Sequence, residues 1–260
     1  MSTLDAIILG IVQGLTEFLP ISSSGHLALF QTLLGLKDLN KYILFDLTCH
    51  LGTLLAIFFV YRSEIHRIIF KDSNRLLQII IGILPLFPLL LIMKPIKKTF
   101  DQPEYLGYFF LTTALILHLG TRFSDIAKTS NTKLKSFRDP FIIGIFQALA
   151  IFPGISRSGS TISSARMLGW SRPDSVSFSF MLAIPTILGG AFIECLQLLY
   201  SRETEIHHDI STTAYIIGLI TSFLVGYGAL RLLMRMVNED KLFIFVWYCL
   251  ILGSSLILIF

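Results

Sequence analysis

The sequence predicts an all-α integral membrane protein built from two inverted-topology repeats, each a re-entrant helix–loop–helix hairpin followed by three transmembrane helices. Three observations predict this fold: an apolar composition, an internal repeat, and the order of the apolar stretches. Of the 260 residues, 53% are hydrophobic and only 15% are charged, and the mean hydropathy is +0.73. Soluble domains carry about a quarter charged residues, so this composition indicates a bilayer environment.

The internal repeat consists of residues 10–25 and 144–159, which align at an offset of 134 with nine identities in sixteen positions. Shared apolar bias alone would give about one or two identities. The common pattern is G-I-x-Q-x-L-x-x-F-x-x-I-S-x-S-G. The copies differ in chemistry, because the first carries Glu17 and is followed by His26, whereas the second carries Arg157. This difference indicates one active site split between two copies of a scaffold.

The first hairpin is predicted over residues 6–35, because Pro20 and the run Ser22–Gly25 interrupt an otherwise apolar stretch. Irregular backbone at membrane depth is tolerated only where protein or a water-filled cavity surrounds it. The second copy of the pattern predicts a second hairpin over 141–169. Six apolar stretches long enough to cross the bilayer complete the fold, at 43–61, 76–93, 105–120, 176–200, 212–233 and 242–260.

We interpret the chain as a single membrane domain, 1–260, with its repeats at 1–125 and 136–260. A hairpin plus three spans crosses the bilayer an odd number of times, so the second hairpin enters from the opposite face. The connections predicted on one face hold thirteen Lys and Arg residues, against six on the other. By the positive-inside rule the first group is cytoplasmic, and the first hairpin belongs to the outer face. The connections of the basic face are 62–75, 121–140, 170–175 and 231–241, and those of the other are 36–42, 94–104 and 201–211.

The net charge of +4 arises from basic residues in the connections between apolar stretches. Such a distribution is typical of membrane flanking sequence and not of a nucleic-acid surface. The sequence therefore predicts membrane lipid as a partner and no nucleic acid.

Glu17 is the first candidate site residue. An acid at the centre of a membrane helix costs about 2.5–3.5 kcal/mol on insertion scales, so we expect it to be functional. Gln13 lies one helical turn earlier on the same face, and oxygens of this kind suit Mg²⁺ or Ca²⁺. The alternative is a structural hydrogen bond between the hairpins. For Gln13 alone we favour that alternative, because Gln147 repeats it in the copy that lacks an acid.

The serines that follow are the next candidates, together with His26. A serine within reach of an imidazole can act as a nucleophile; alternatively, the imidazole attacks or relays protons. Helix N-capping explains Ser22 and its counterpart Ser156 without catalysis. Ser23 aligns with Arg157 and not with a serine, so we prefer Ser23 as the nucleophile and His26 as the group that handles its proton.

Arg157 is a cation inside an apolar stretch, beside hydroxyl groups and a glycine. Its guanidinium matches phosphate oxygens in a two-pronged manner, and the start of the following helix favours anions. The alternative is a structural ion pair with Glu17, which would still bring the hairpins together. We expect the following residues to hold phosphate: Ser22, Ser24, Ser156, Arg157, Ser158 and Gly159.

The remaining ionisable residues are weaker candidates. Asp46 stays a minor one, since it lies near the first hairpin on the outer face. The other histidines have no partner at catalytic spacing, so we expect packing or surface roles for them; they are His50, His66, His118, His207 and His208.

The stretches Q-G-L-T-E-F-L-P-I-S-S-S-G-H and P-G-I-S-R-S-G-S-T closely resemble the undecaprenyl-diphosphatase family, the bacitracin-resistance type of membrane phosphatase. The resemblance covers essentially the whole chain. It implies hydrolysis of undecaprenyl diphosphate, recycling of the lipid carrier for peptidoglycan synthesis, and bacitracin resistance. It also implies a divalent cation, an isoprenoid diphosphate substrate, and an active site open to the outer face of the bacterial cytoplasmic membrane. It leaves a homodimer open.

The family motifs map onto particular positions of this sequence. The glutamate-rich motif falls on Gln13 and Glu17, the serine–histidine motif on Ser23 and His26, and the arginine motif on the segment Ser156–Ser158. Gln13 departs from the glutamate that is more common there. Because its amide is uncharged, this departure argues against a role of the position as a base or a charged metal ligand.

Two other functions compete with that of an undecaprenyl-diphosphatase. Inverted repeats with broken helices are typical of transporters, so a flippase for an isoprenoid diphosphate lipid is one alternative. A type-2 phosphatidic-acid phosphatase shares an S-G-H element, but its K-x6-R-P element and distal histidine–aspartate pair are missing from the sequence. Release of phosphate by the purified protein separates hydrolysis from transport.

Overall fold

The computed structural model describes residues 1–36, 39–92, 103–123, 137–200 and 210–260. Over these ranges the chain is helical, with short 3₁₀ segments and no strand. The helices of the described ranges are α1 Thr3–Phe18, α2 Ser23–Leu33, α3 Ile43–Lys71, α4 Ser73–Ile83, α5 Leu106–Phe123, α6 Arg138–Leu149, α7 Arg157–Met167, α8 Arg172–Tyr200, α9 Thr212–Asn238 and α10 Phe243–Ile259.

Both predicted helix–break–helix units are present. In the first, α1 ends at Phe18 and α2 begins at Ser23; in the second, α6 ends at Leu149 and α7 begins at Arg157. The break of the first unit holds Pro20, which cannot continue a helix and does not donate a backbone hydrogen bond. The repeated sequence therefore forms a helix–break–helix unit twice, with a longer break in the second unit.

Among the described residues, four helices are long and apolar enough to cross a membrane, which makes the protein a multi-pass integral membrane protein. They are Ile43–Lys71, Ser73–Leu91, Arg172–Gln197 and Thr212–Asn238, the second of which continues from α4 into a 3₁₀ segment. The predicted spans 105–120 and 242–260 fall on α5 and α10, which have 18 and 17 residues.

The stretch 62–75 was expected to be a basic connecting loop, and this expectation is wrong. Helix α3 continues through a kink at Tyr61 to Lys71, and α4 begins two residues later. The stretch contains no glycine or proline, so it lacks the strongest helix breakers, and its lysine, arginine and glutamate residues have high helix propensity. Asp72 separates the helices and caps α4, because its carboxylate accepts from the backbone N–H of Arg75 at 2.9 Å. The predicted connections 94–104, 121–140 and 201–211 lie largely outside the described residues.

Glycines let the hairpin of each half pack closely on a helix of the other half. A Cβ atom added to Gly14 of α1 would lie 2.9 Å from the backbone of α9 at Ser222 and Gly226. A Cβ atom added to Gly144 of α6 would overlap the carbonyl oxygen of Gly82 in α4. Small residues at such crossings are typical of membrane helix packing. The two halves are therefore interlocked.

A buried pair of aromatic rings packs at the end of α1. Phe18 is fully buried and packs edge-on against Phe180 of α8, with ring centroids 5.5 Å apart. Because Phe18 follows Glu17 in the chain, this packing fixes the last turn of α1 and hence the position of the acid.

Candidate active site

The breaks of the two hairpins meet tip to tip. The hydroxyl oxygen of Ser22 accepts from the backbone N–H of Gly154 at 3.0 Å. In the opposite direction, the hydroxyl of Ser158 donates to the carbonyl oxygen of Leu19 at 3.2 Å. A Cβ atom on Gly25 would lie 2.9 Å from the Cα atom of Gly154, so only glycine fits at this approach. The hairpins therefore share one interface at their irregular turns.

Serine caps position a helix start on each side of this interface. Ser22 accepts from the N–H of Gly25 at 3.4 Å, and Ser156 accepts from the N–H of Gly159 at 3.0 Å. The capping interpretation of both serines is thus confirmed. Ser22 adopts φ = 71°, an unusual conformation for a residue other than glycine. Its bond to Gly154 holds it there, and the starts of α2 and α7 present the positive ends of two helix dipoles to the interface.

Glu17 is the centre of a polar network that joins both hairpins. Its Oε1 accepts a hydrogen bond from Nη2 of Arg157 at 2.5 Å. Its Oε2 accepts hydrogen bonds from the hydroxyl of Ser23 at 2.7 Å and from the amide Nε2 of Gln13 at 3.0 Å. The Glu17 side chain is only 4% exposed. The predicted acid, hydroxyl group and guanidinium therefore lie in direct contact.

Two buried polar atoms of this network have no hydrogen-bond partner among the described residues. They are Nη1 of Arg157 and Oε1 of Gln13. A buried polar group without a partner costs about 1–3 kcal/mol. One prong of the Arg157 fork is thus held by Glu17, and the other is free for an anion.

His26 lies on the same turn of α2 as Ser23, but its ring is hydrogen-bonded to other groups. Its Nδ1 is 2.7 Å from the carbonyl oxygen of Ser22, which can only accept, so Nδ1 carries the proton. Its Nε2 accepts from the hydroxyl of Tyr248 at 2.7 Å, and the two rings are stacked. The predicted transfer of the Ser23 proton to His26 would need a hydrogen bond between them. In this structure the Ser23 hydroxyl instead donates its hydrogen bond to Glu17.

His50 is a site residue that the sequence interpretation missed, and the expectation that it has no partner is wrong. Its Nε2 lies 3.6 Å from Oε2 of Glu17, and its Nδ1 lies 2.8 Å from the carbonyl oxygen of Asp46. The Asp46 carboxylate in turn accepts from Nε2 of Gln31 at 2.9 and 3.1 Å. The available signal was an acid and a histidine one turn apart inside an apolar span, where ionisable residues are usually functional.

The other histidines fit their expected roles as far as the structure describes them. His66 packs against Phe70, and His118 borders an apolar groove between α5 and α10. His207 and His208 lie outside the described residues.

The exposure of the network indicates the direction from which a ligand reaches it. Glu17 and His26 are buried, whereas Ser23, Ser24 and Arg157 are partly exposed, and the His50 side chain is 27% exposed. Hydroxyl groups, a guanidinium and an imidazole therefore form the accessible side, with the carboxylate behind them.

Comparisons with known proteins agree with one another. The sequence profile described as "Bacitracin resistance protein BacA" matches residues 6–255. An undecaprenyl-diphosphatase of Protochlamydia amoebophila is 49% identical over 260 residues, which cover 100% of this chain and 99% of that protein. Undecaprenyl-diphosphatases of Carboxydothermus hydrogenoformans and Methanosphaera stadtmanae are 39% and 36% identical, each covering 100% of this chain and 98% of the relative.

Proposed function

The chain belongs to the bacitracin resistance protein BacA family, and from this premise we propose that it is an undecaprenyl-diphosphatase that acts where its two hairpins meet. The reaction converts undecaprenyl diphosphate and water into undecaprenyl phosphate and inorganic phosphate. It recycles the lipid carrier for peptidoglycan synthesis and confers bacitracin resistance. The observation that carries the proposal is the contact of Glu17 with both Ser23 and Arg157.

Ser23 is the proposed nucleophile and Glu17 its proton acceptor. The Ser23 oxygen attacks the terminal phosphorus while its proton passes to Oε2 of Glu17, 2.7 Å away. The bond between that phosphorus and the bridging oxygen breaks, and undecaprenyl phosphate leaves. Water then attacks the serine phosphate, which releases inorganic phosphate and restores the hydroxyl of Ser23.

Arg157 is the proposed phosphate clamp. With Nη2 on Glu17, its unpartnered Nη1 is available to an oxygen of the terminal phosphate. The starts of α2 and α7 add backbone N–H donors near the same phosphorus. In this proposal Ser22, Ser156 and Gly159 act mainly by holding the helix starts in place, and Ser24 and Ser158 offer further hydroxyl donors.

His26 remains a proposed proton carrier for a later step. Its Nδ1–H is held by the Ser22 carbonyl, so only Nε2 can take up a proton. To do so, Nε2 exchanges the hydroxyl of Tyr248 for water or substrate. His26 is thus suited to activating the water that hydrolyses the serine phosphate.

A divalent cation such as Mg²⁺ or Ca²⁺ is part of the proposal, with Glu17 and Gln13 as its protein ligands. The unpartnered Oε1 of Gln13 supports this assignment, because a buried amide oxygen one turn from a carboxylate suits a hard cation. Among the described residues no group of three His, Cys, Asp or Glu side chains is arranged to hold a metal ion. Substrate phosphate and water would therefore complete the ligand set, as is usual for Mg²⁺. When bound, the cation would neutralise charge on the diphosphate oxygens.

Inverted topology and orientation complete the proposal. Repeats at 1–125 and 136–260 would enter the bilayer from opposite faces, which the tip-to-tip contact of the breaks and the crosswise glycine packing support. The excess of basic residues on one set of connections supports a site open to the outer face of the cytoplasmic membrane.

Phosphate release tests the function against the transporter alternative, which the interlocked halves also favour. Purified protein in detergent is given undecaprenyl diphosphate and a divalent cation. We expect inorganic phosphate from the wild-type protein and background levels from Ser23→Ala. Absence of phosphate together with movement of the lipid across liposome membranes would favour a flippase instead.

A further inference from the structure

His50 is held in one orientation and tautomer by its own helix. Its Nδ1 lies 2.8 Å from the carbonyl oxygen of Asp46. A carbonyl oxygen only accepts, so Nδ1 donates to it, and Nε2 is the ring atom left to bind a ligand. Nε2 lies 3.6 Å from Oε2 of Glu17. An ion placed between these two atoms could therefore be coordinated by both.

The substrate would compensate the charge of an ion bound here. The single negative charge of Glu17 is already paired with Arg157, and buried charge without compensation is costly. A diphosphate group brings several negative charges into the site, so a cation that enters with it is compensated.

The distances around Glu17 fit a bound ion. Ligands at about 2.0–2.2 Å from one ion lie about 3.0–3.6 Å from each other, depending on the angle between them. The separation of Nε2 of His50 and Oε2 of Glu17 falls at the upper end of this range. The amide of Gln13 also reaches Oε2 at 3.0 Å, and rotating that amide by half a turn directs its unpartnered oxygen to the same place.

The outer contact of His50 is of the kind that metal-bound histidines have. Such residues donate the proton of the other ring nitrogen to a backbone carbonyl or a carboxylate, which fixes the tautomer. Asp46 supplies this carbonyl, and its side chain is held by Gln31 of α2. The orientation of His50 is thus determined before any ligand arrives.

We propose that His50 is the nitrogen ligand of the divalent-cation site, together with Glu17 and Gln13. The inference rests on the proposed function, because the diphosphate supplies the compensating charge and the remaining ligands. It also concerns the choice of ion. Oxygen ligands alone suit Mg²⁺, Ca²⁺ and Mn²⁺, whereas an imidazole suits first-row transition ions such as Fe²⁺ and Zn²⁺. Mn²⁺ belongs to that transition series and accepts both ligand types, so a site with one imidazole should bind it in preference to Mg²⁺.

Binding of Mn²⁺ to the detergent-solubilised full chain, in the presence of methylenediphosphonate as a non-hydrolysable diphosphate, tests the proposal without relying on catalysis. Electron paramagnetic resonance measures the bound fraction, and electron spin-echo modulation detects a coordinated imidazole nitrogen. We expect a single site with nitrogen modulation, for which Mg²⁺ competes only at concentrations at least about tenfold higher. His50→Phe should weaken Mn²⁺ binding at least about tenfold and abolish the modulation.

Two further variants keep the test interpretable. His66→Phe changes a histidine on the same helix α3, next to Phe70 and outside the site, and should leave Mn²⁺ binding and the modulation unchanged. His50→Gln keeps a polar side chain of similar reach; it should stay folded, judged by size-exclusion elution, and lose the nitrogen signal.

The outcomes separate this inference from the proposed function. Absence of Mn²⁺ binding in the wild type, binding without nitrogen modulation, or modulation that persists in both His50 variants would overturn the role of His50. Phosphate release by the wild type under those outcomes would leave the diphosphatase function intact. Nitrogen-coordinated Mn²⁺ in a protein that releases no phosphate would contradict the function and retain the metal site.

Discussion

At the scale of single residues, the two carboxylate oxygens of Glu17 contact different groups. Oε1 is held by Arg157 of the second hairpin, and Oε2 faces Ser23, Gln13 and His50. One carboxylate oxygen therefore joins the halves, and the other faces the groups proposed to react or bind metal. The ion pair between Glu17 and Arg157 leaves Nη1 of the guanidinium without a partner, which supports the proposed role of Arg157 in phosphate binding.

Arg157→Lys should fail to replace arginine. Arg157 holds Glu17 with one nitrogen and keeps another free, and a lysine ammonium has no planar fork that serves both. We expect turnover to fall about 10²–10³-fold, as for the loss of a transition-state donor. Steady-state phosphate release measures this. Arg172→Lys, which changes a cation paired with Asp240 outside the site, is the matched control and should retain activity. Near-full activity of Arg157→Lys would mean that charge alone suffices.

Gln13→Glu should lower the divalent-cation concentration needed for half-maximal activity, because it adds a charged oxygen one turn from Glu17. Titration of the cation against phosphate release measures this. Gln147→Glu is the counterpart in the second hairpin, where the amide is buried and has no partner among the described residues. It should only destabilise the fold. An unchanged cation requirement in Gln13→Glu would remove Gln13 from the metal site.

At the scale of elements, the hairpins were predictable because residues within each break determine where the helices end and begin. Pro20 and the serine runs interrupt apolar stretches, and capping by Ser22 and Ser156 follows from residue type. The continuation of α3 beyond Tyr61 was not predicted, because hydropathy marks where the bilayer ends and not where a helix ends. The partners of His26 and His50 were also not predictable, since Tyr248 and Glu17 reach them through tertiary packing that local patterns do not encode.

Gly144→Ala should destabilise the protein by about 1–3 kcal/mol, the usual effect of overpacking. The added methyl group would overlap the carbonyl oxygen of Gly82, so α6 and α4 must separate. Thermal unfolding in detergent measures the effect. Gly189→Ala is the matched control in helix α8, where an added Cβ meets nothing within 4 Å. There the gain in helix propensity should be neutral or stabilising by up to about 1 kcal/mol. Equal midpoints for the two variants would contradict close packing of α6 on α4.

At the scale of the whole molecule, the sequence repeat predicted that the halves complete one site. The fold joins the halves both at the hairpin breaks and through helix packing. The hairpin breaks touch at Ser22 and Gly154, and each hairpin also packs on a helix of the other half. An isolated first half would therefore lack Arg157, and an isolated second half would lack Glu17. Each would also lose the surface on which its hairpin packs.

Inverted insertion predicts that the two hairpins begin on opposite sides of the membrane. In a background without the native cysteines, Thr3→Cys and Phe137→Cys place exposed thiols at the starts of the first and second hairpins. A membrane-impermeant maleimide should label Thr3→Cys in intact cells and Phe137→Cys only after permeabilisation, by the positive-inside rule. Labelling of both from the same side would contradict inverted repeats, and the reverse pattern would contradict the orientation.

The central claim is that Ser23, activated by Glu17 and opposed by Arg157, attacks the terminal phosphorus. Rapidly quenched turnover with radiolabelled undecaprenyl diphosphate, followed by peptide mapping, tests it most directly. The claim predicts an acid-stable phosphate ester on Ser23 in the wild type, which is lost in Ser23→Ala together with all turnover above background. It also predicts that Ser23→Ala is at least as damaging as His26→Ala, since loss of a general base typically costs about 10²–10⁴-fold. An acid-labile phosphoenzyme that vanishes in His26→Ala, or turnover at the wild-type rate by Ser23→Ala, would contradict it.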